Sequence, residues 1–217
     1  MSAETVFLFD VDNTLIDNDQ VTADLRDHLD REVGAQVAKS YWQYLEHLRS
    51  ELGYVDYLGA LQRFRDERPH ELSIFTVSRF LIEYPFTQRL YAGALEAVAH
   101  ANTRGTAVIF SDGDAVFQPH KVYRSGLTNA VNGRVLIYAH KQAELADVET
   151  RFPAEHYLFM DDKMHLLAKV KEIWKARVTT VFVKQGHYAQ QPNLIEKYGK
   201  PDVTLASIAE LPTLTGF

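Results

Sequence analysis

Hydrophobic residues follow two different patterns along the chain. A short apolar run at residues 6–9 predicts a buried strand, and after residue 85 apolar runs alternate with stretches of helical periodicity. Between these two parts, from about residue 20 to residue 84, apolar side chains recur every three or four positions and strand-like runs are missing. The pattern predicts an α/β domain with a helical segment inserted after its first strand.

The C-terminal part predicts a regular alternation of helices and strands. Strands are expected at 106–110, 134–139, 156–160 and 178–183, with a last edge strand at 203–205. Helices are expected at 94–102, 115–125, 142–151 and 166–175. Strands separated by helices of about ten residues indicate a parallel sheet with helices on both faces. We therefore expect a core formed by residues 1–16 and 88–217, and an insert formed by residues 17–87.

Composition narrows the classes of function. The chain has 217 residues, 46% of them hydrophobic, which is enough for one large domain with an insertion. Its formal net charge of -6 argues against a general nucleic-acid or membrane binder. With no cysteine, thiol catalysis, disulfides and cysteine-based metal sites are excluded. No signal peptide or spanning segment is visible, so we expect a cytoplasmic protein. The oligomeric state is not predicted.

Polar residues cluster directly after the predicted strands. In an open parallel sheet these positions meet at one edge, where ligands bind. A group of carboxylates there is costly unless a divalent cation and a phosphate accompany it. The residues concerned are Asp10 and Asp12, then Ser111, Asp112 and Asp114, then His140 and Lys141, then Asp161 and Asp162.

The carboxylates suit magnesium chemistry. Mg²⁺ prefers oxygen ligands and usually shares its site with a phosphate. We expect Asp10 and one or both of Asp161 and Asp162 to bind it, with the backbone carbonyl of Asp12 as a further ligand. Asp10 is also a competent nucleophile toward phosphorus.

Three further side chains complete the predicted chemistry. Asp12 can protonate the leaving oxygen and then deprotonate the water that breaks the intermediate. Ser111 can hold phosphate oxygens, and Lys141 supplies a positive charge for the same oxygens and for Asp10. Lys121 competes with Lys141 for this role. Lys141 is preferred because it directly follows a strand, whereas Lys121 is expected to be a solvated lysine on a helix.

These motifs, in this order, resemble the haloacid dehalogenase (HAD) superfamily. The resemblance covers the predicted core and implies a Rossmann-like three-layer fold, a mobile helical cap over the site, Mg²⁺ and an aspartyl-phosphate mechanism. There is one departure. The family commonly has another acid or Asn four or five residues beyond the last pair, and here these positions are Leu166 and Leu167. Lys163 and His165 are the nearby polar groups. His165 could be a metal ligand, but a histidine at the surface or behind the ligands is the preferred interpretation. The residues that carry the resemblance are Asp10, Asp12, Thr14, Ser111, Lys141, Asp161 and Asp162.

Residues outside these motifs give weaker indications of function. Arg63, Arg65 and Arg68 could reach an anionic substrate, but a solvated helical face is the preferred interpretation. The aromatic group at 41–44 (Tyr41, Trp42 and Tyr44) could stack on a base or a sugar, but packing is the preferred interpretation. The loop at 185–188 follows the last long strand and lies on the predicted active edge, where it could contact substrate or be a plain connecting loop.

The expected function is Mg²⁺-dependent hydrolysis of a small phosphomonoester, a metabolite or a nucleotide. A dehalogenase attacks carbon and needs no acid at the position of Asp12, so phosphoryl chemistry is favoured. Three alternatives stay open: a sugar phosphomutase, a 2-haloacid dehalogenase, and a catalytically weak binding protein with the same fold. The expected partner is a small phosphorylated substrate, with neither nucleic acid nor membrane.

Overall fold

A computed structural model describes residues 3–214 and shows a six-stranded, fully parallel sheet in the order β3-β2-β1-β4-β5-β6. The order reverses beside β1, so the ends of β1, β2 and β4 share one crevice. The Rossmann-like fold predicted from the sequence is confirmed. The strands are β1 (Ala3–Phe9), β2 (Thr106–Asp112), β3 (Val135–Tyr138), β4 (Ala154–Asp161), β5 (Val178–Val183) and β6 (Val203–Leu205).

Helices fill the insert and cover both faces of the sheet. The insert holds α1 (Asn18–Val33), α2 (Ala35–Leu52), α3 (Tyr57–Glu67) and α4 (Ile74–Glu83). The core holds α5 (Ala94–Arg104), α6 (Phe117–Arg124), α7 (Leu127–Ala130), α8 (Leu145–Arg151), α9 (Met164–Trp174) and α10 (Leu194–Tyr198). No helix in the described range 3–214 is long and apolar enough to cross a membrane.

Alternation along β1 explains the three layers. Phe7 and Phe9 join the apolar cluster that continues into the insert, while Val6 and Leu8 join the cluster beneath α8 and α9. All four side chains are buried. The part of a strand that is buried on both faces must be apolar, which is why residues 6–9 contain no polar side chain.

The insert, called the cap below, is a bundle of helices with conventional ends. Asp17 begins α1 by accepting a hydrogen bond from the backbone N–H of Gln20. Gly53 ends α2 in the left-handed conformation (φ 81°). The inward face of α1 is formed by Val21, Leu25 and Leu29, at the spacing seen in the sequence. The exact division at residues 17–87 stays a prediction.

The two segments that join cap and core are paired with each other. The backbone N–H of Asp17 donates to the carbonyl of Arg89 (2.7 Å), and that of Tyr91 donates to the carbonyl of Leu15 (2.9 Å). Ile16 forms an antiparallel bridge with Leu90 between them. The chain therefore leaves and re-enters the core through one short ribbon.

Candidate active site

Three carboxylates meet at the ends of β1 and β4. In the sheet register Phe9 lies beside Met160, so the residues that follow, Asp10 and Asp161, become neighbours. The backbone N–H of Asp10 donates to the carbonyl of Met160 at 3.0 Å and fixes this approach. The carboxylates of Asp10, Asp161 and Asp162 each offer an oxygen within 4.8 Å of the others, and all three residues are buried.

Lys141 lies between two of these acids. Its Nζ is 2.5 Å from Asp10 Oδ1 and 2.7 Å from Asp161 Oδ2, and it donates to the carbonyl of Phe110 at 3.2 Å. The lysine is fully buried. Burial alone would lower its pKa, but the charges of Asp10 and Asp161 prevail and raise it. Lys141 is therefore a permanent cation in contact with Asp10, as its predicted role requires.

Lys141 is held in place through its own backbone. It follows β3, and its N–H donates to Asp112 Oδ1 at 2.6 Å. Residues 141–143 form a short 3-10 turn, so α8 starts at Leu145, later than predicted. This turn directs the lysine side chain back under the strand ends.

One carboxylate of the three-acid cluster, that of Asp162, has no hydrogen-bond partner. Both carboxylate oxygens of Asp162 are buried and have no hydrogen-bond partner. Burial, followed by the charge of Asp161, raises the pKa of Asp162. Burial also raises the pKa of Asp161, against the opposing effect of Lys141. Unpartnered, all-oxygen donors in a buried cluster fit a hard divalent cation such as Mg²⁺.

Asp12 lies outside this cluster and faces the cleft. Its side chain is 27% exposed, and its Oδ1 forms an ion pair with Lys121 Nζ at 2.7 Å. Gln118 Nε2 lies 3.4 Å from Asp12 Oδ2 and also donates to Ser111 Oγ at 3.0 Å. The structure thus places Asp12 and Ser111 on one small network. The predicted metal contact of the Asp12 carbonyl stays a prediction.

Lys121 differs from the expectation. It was predicted to be a solvated surface lysine, and this is wrong, because only 1% of the residue is exposed. Its Nζ also donates to Asn18 Oδ1 at 2.9 Å, at the start of α1. Lys121 lies four residues after the buried Phe117 and one before the buried Val122. This helical spacing was the sequence signal for its burial.

At the two positions where the family commonly has another acid or Asn, this chain has buried leucines. Leu166 and Leu167 are buried in the apolar cluster beneath the sheet, so they offer no ligand. His165 is exposed and does not belong to the three-acid cluster. Lys163 is half-buried. Burial lowers its pKa, but the charges of Asp10 and the acid pair prevail and raise it.

A two-lobed cleft lies between cap and core above these groups. The core-side lobe has a volume of about 330 Å³ and the cap-side lobe about 440 Å³. Both are within the size range of small-molecule sites. The residues that line both lobes are Asp12, Arg49, Val55, Tyr57, Lys163 and Tyr188. Sequence reasoning missed Arg49 and Tyr57, whose positions depend on how the cap docks.

The loop at 185–188 supports the same edge. Gln185 Nε2 donates to the carbonyl of Thr14 at 3.1 Å, and His187 Nδ1 lies 2.6 Å from Asp19 Oδ1 on α1. Tyr188 lines the cleft. The predicted placement of this loop on the active edge is confirmed.

The remaining cap residues behave largely as expected. Arg63 pairs with Glu51 and Arg65 with Asp66 at exposed positions. Arg68 approaches Ser40 at the surface. These three arginines form a solvated face, as predicted. In the aromatic group, Tyr41 is fully buried as packing, and Trp42 lines the cap-side lobe.

Comparison with solved structures identifies the family. A protein of Burkholderia xenovorans LB400, described as a haloacid dehalogenase-like hydrolase, is 54% identical, with 97% of this chain and 96% of that chain covered and a TM-score of 0.92. The chain belongs to the HAD superfamily. The family assignment from the sequence motifs is confirmed.

More distant HAD structures share the fold. The L-2-haloacid dehalogenase of Xanthobacter autotrophicus is 19% identical (98% of each chain, TM-score 0.62). The HAD hydrolase YfnB of Bacillus subtilis, solved with magnesium, is 18% identical (97% of each chain, TM-score 0.62). Neither the protein-family models nor the curated proteins gave a match.

Proposed function

We propose that this HAD protein is a Mg²⁺-dependent phosphomonoester hydrolase that acts through an aspartyl-phosphate on Asp10. One observation carries the proposal. Asp12, two residues beyond the nucleophile, lies outside the three-acid cluster and faces the cleft, held by Lys121 and Gln118. An acid at this place can exchange a proton with a leaving group, which attack on a carbon–halogen bond does not require.

Asp10, Asp161 and Asp162 would hold the magnesium ion. When bound, the ion neutralises charge on the phosphoryl oxygens and on the carboxylates around them. The unpartnered oxygens of Asp162 support this assignment.

In the first half of the reaction a carboxylate oxygen of Asp10 attacks phosphorus. The new O–P bond forms as the ester P–O bond breaks, and the leaving alkoxide takes a proton from Asp12. Lys141 holds Asp10 through Oδ1, with Nζ at 2.5 Å. Thr14 Oγ1 donates to Asp10 Oδ2 at 3.3 Å and fixes the other oxygen.

In the second half, water attacks the aspartyl-phosphate. Asp12, now a carboxylate, takes the proton from the attacking water, the bond between phosphorus and Asp10 breaks, and inorganic phosphate leaves. Lys121 Nζ lies 2.7 Å from Asp12 Oδ1 and positions this carboxylate for the step. Ser111 lies beside the same network and can donate to a phosphoryl oxygen.

The test is hydrolysis of an aryl phosphate by the purified full-length chain. We expect phosphate release with Mg²⁺, loss of release with a chelator, and recovery when Mg²⁺ is restored. A parallel assay follows halide release from 2-chloropropionate without metal. Halide release that persists in the chelator, together with no phosphate release, would replace the proposal by the dehalogenase alternative. Transfer of phosphate within a sugar phosphate, in place of its release, would favour the phosphomutase.

A further inference from the structure

Two cations at the junction of the two lobes have no assigned partner. Lys163 Nζ lies 5.3 Å from the centre of the Tyr188 ring, and the guanidinium carbon of Arg49 lies 5.8 Å from the same centre. Lys163 comes from the core and Arg49 from α2 of the cap. Among residues 3–214, Lys163 forms no ion pair, and Arg49 has only Glu46, at 3.5 Å on the same helix.

The carboxylates that line the core-side lobe form no ion pair with these cations. Its two carboxylates are already occupied, Asp12 by the ammonium of Lys121 and Asp112 by the backbone N–H of Lys141. Glu46, the one acid near Arg49, has a side chain that is 68% exposed, so water screens its effect. The aromatic face of Tyr188 offers each cation only a weak attraction, about 0.5–1 kcal/mol at an exposed site.

The further charged groups of the cap-side lobe have partners or nearby opposite charges. The lobe contains Arg26, but this guanidinium lies over the Trp42 ring at 4.8 Å, and exposed acids at 27 and 46 lie nearby. Asp19 in that lobe is occupied by His187. Arg49 and Lys163 line both lobes, and in the core-side lobe neither forms an ion pair with a lining carboxylate. Lys163 is balanced at longer range by the three-acid cluster, whereas Arg49 has only the exposed Glu46.

We propose that Arg49 and Lys163 bind a second anionic group on the substrate, so that the preferred substrates are phosphomonoesters whose leaving group carries a carboxylate or another phosphate. The inference rests on the proposed function for its chemistry. The scissile phosphate contacts the groups at the strand ends, and the second anion lies in the core-side lobe between cap and core. Arg49 is a specificity residue, because its guanidinium can pair with two oxygens of one anion.

Equilibrium binding tests this inference without any turnover. The probes are three phosphonates measured by calorimetry with Mg²⁺ present: propylphosphonate, 3-phosphonopropionate and propane-1,3-bisphosphonate. The first lacks a second anion, and the other two carry a carboxylate or a phosphonate at matched length. We expect the wild-type chain to bind at least one of the two probes that carry a second anionic group more tightly than propylphosphonate, by about tenfold or more. The tighter of the two distinguishes a carboxylate from a phosphate leaving group.

Variants locate the second anion. Arg49→Met is expected to reduce the preference to below about threefold, and Arg49→Lys to retain part of it. Arg63→Met removes an exposed cap arginine outside the cleft and is expected to keep the wild-type preference. Because the readout is a ratio of two affinities in one protein, general damage to the fold cancels.

The outcomes separate this inference from the proposed function. Equal binding of all three phosphonates by the wild-type chain overturns the second-anion site, even if aryl phosphate is hydrolysed. A preference that survives in Arg49→Met overturns the assignment to Arg49. A preference lost in Arg49→Met, in a chain that hydrolyses no phosphate ester, supports the anion site and rejects the phosphatase.

Discussion

The floor and the wall of the cleft are built in different ways. The floor consists of Asp10, Lys141, Asp161 and Asp162, all on strand ends or the turn after a strand, and all almost completely buried. The wall consists of Arg49, Lys163 and Tyr188, which come from the cap, from the start of α9 and from the loop after β5. Backbone hydrogen bonds of the sheet fix the floor, whereas docking of cap on core assembles the wall.

This contrast separates chemistry from selectivity. The floor groups are few, charged and buried, so their electrostatic interactions are strong, and the proposed chemistry uses them. The wall groups are more exposed and can change without disturbing the sheet. Asp12 and Lys121 lie at the boundary, because Lys121 contacts both the acid and the first residue of α1.

The largest effect is expected at the floor. Asp10→Asn should abolish hydrolysis, by at least about 10³-fold in kcat, because a carboxamide oxygen is a poor nucleophile toward phosphorus. The measurement is phosphate release from an aryl phosphate with saturating Mg²⁺. Asp66→Asn, an exposed carboxylate on α3, is the matched control and should keep the wild-type rate. Near-normal turnover by Asp10→Asn would show that another group is the nucleophile.

At the boundary, Asp12→Asn should slow turnover by about 10²- to 10⁴-fold, because it removes the proton donor and acceptor. With an aryl phosphate, whose leaving group needs little protonation, the second step should suffer more than the first. Intact-protein mass spectrometry after mixing should then detect a phosphoryl adduct that is absent from Asp10→Asn. Full-rate turnover without an adduct would remove Asp12 from the mechanism.

Lys121→Met should have a smaller effect, about tenfold in kcat, because Asp12 stays in place but loses its ion pair and its link to Asn18. The floor is untouched, so stabilisation by Mg²⁺ in thermal unfolding should equal that of the wild type. Lys39→Met, at an exposed cap position, controls for loss of a charge. If Lys121→Met instead removes the Mg²⁺ stabilisation, the separation of floor and boundary is wrong.

The smallest effect concerns stability. The pKa of Asp162 is raised in the folded protein, so its contribution to stability is fully present below the pKa of the unfolded chain and is lost as pH rises through the folded value. Metal-free Asp162→Asn should therefore melt higher than the wild type at pH 8, by about 2–4 °C for each kcal/mol. The difference should shrink toward pH 5.

Added Mg²⁺ should reverse the order at pH 8, because the ion binds the ionised carboxylate of the wild type and the variant lacks this ligand. Calorimetric melting at the two pH values, with Mg²⁺ and with a chelator, measures both effects. Equal melting temperatures of the two proteins under all four conditions would mean that Asp162 is neither strained nor a ligand.

The floor could be predicted from the sequence because the carboxyl ends of parallel strands all lie at the same edge of the sheet. Asp10, Lys141 and the acid pair each directly follow a predicted strand, so their convergence needed no knowledge of the helices. The choice of Lys141 as the lysine in contact with Asp10 agrees with the structure for the same reason.

The residues of the wall and the boundary were harder to predict from the sequence. The position of Arg49 follows from the docking of α2 against the core, which no local pattern encodes. The burial of Lys121 was misjudged because a charged residue was assigned to solvent, although its spacing from Phe117 placed it on the inward face of α6. Asn18 and Gln118 were overlooked because single polar residues on helices carry little signal until their partners are known.

The paired ribbon between cap and core has a mechanical consequence. The outgoing and returning segments are joined by hydrogen bonds at Asp17 and Tyr91, so they can only turn as one hinge. Asn13, in the left-handed conformation beside Asp12, accepts hydrogen bonds from the N–H groups of Asn18 and Asp19 (3.1 Å each). A swing of α1 would therefore pull on the residue next to Asp12, the proposed proton donor and acceptor. A movement of the cap would thus be transmitted through α1 and Asn13 to the site at the strand ends.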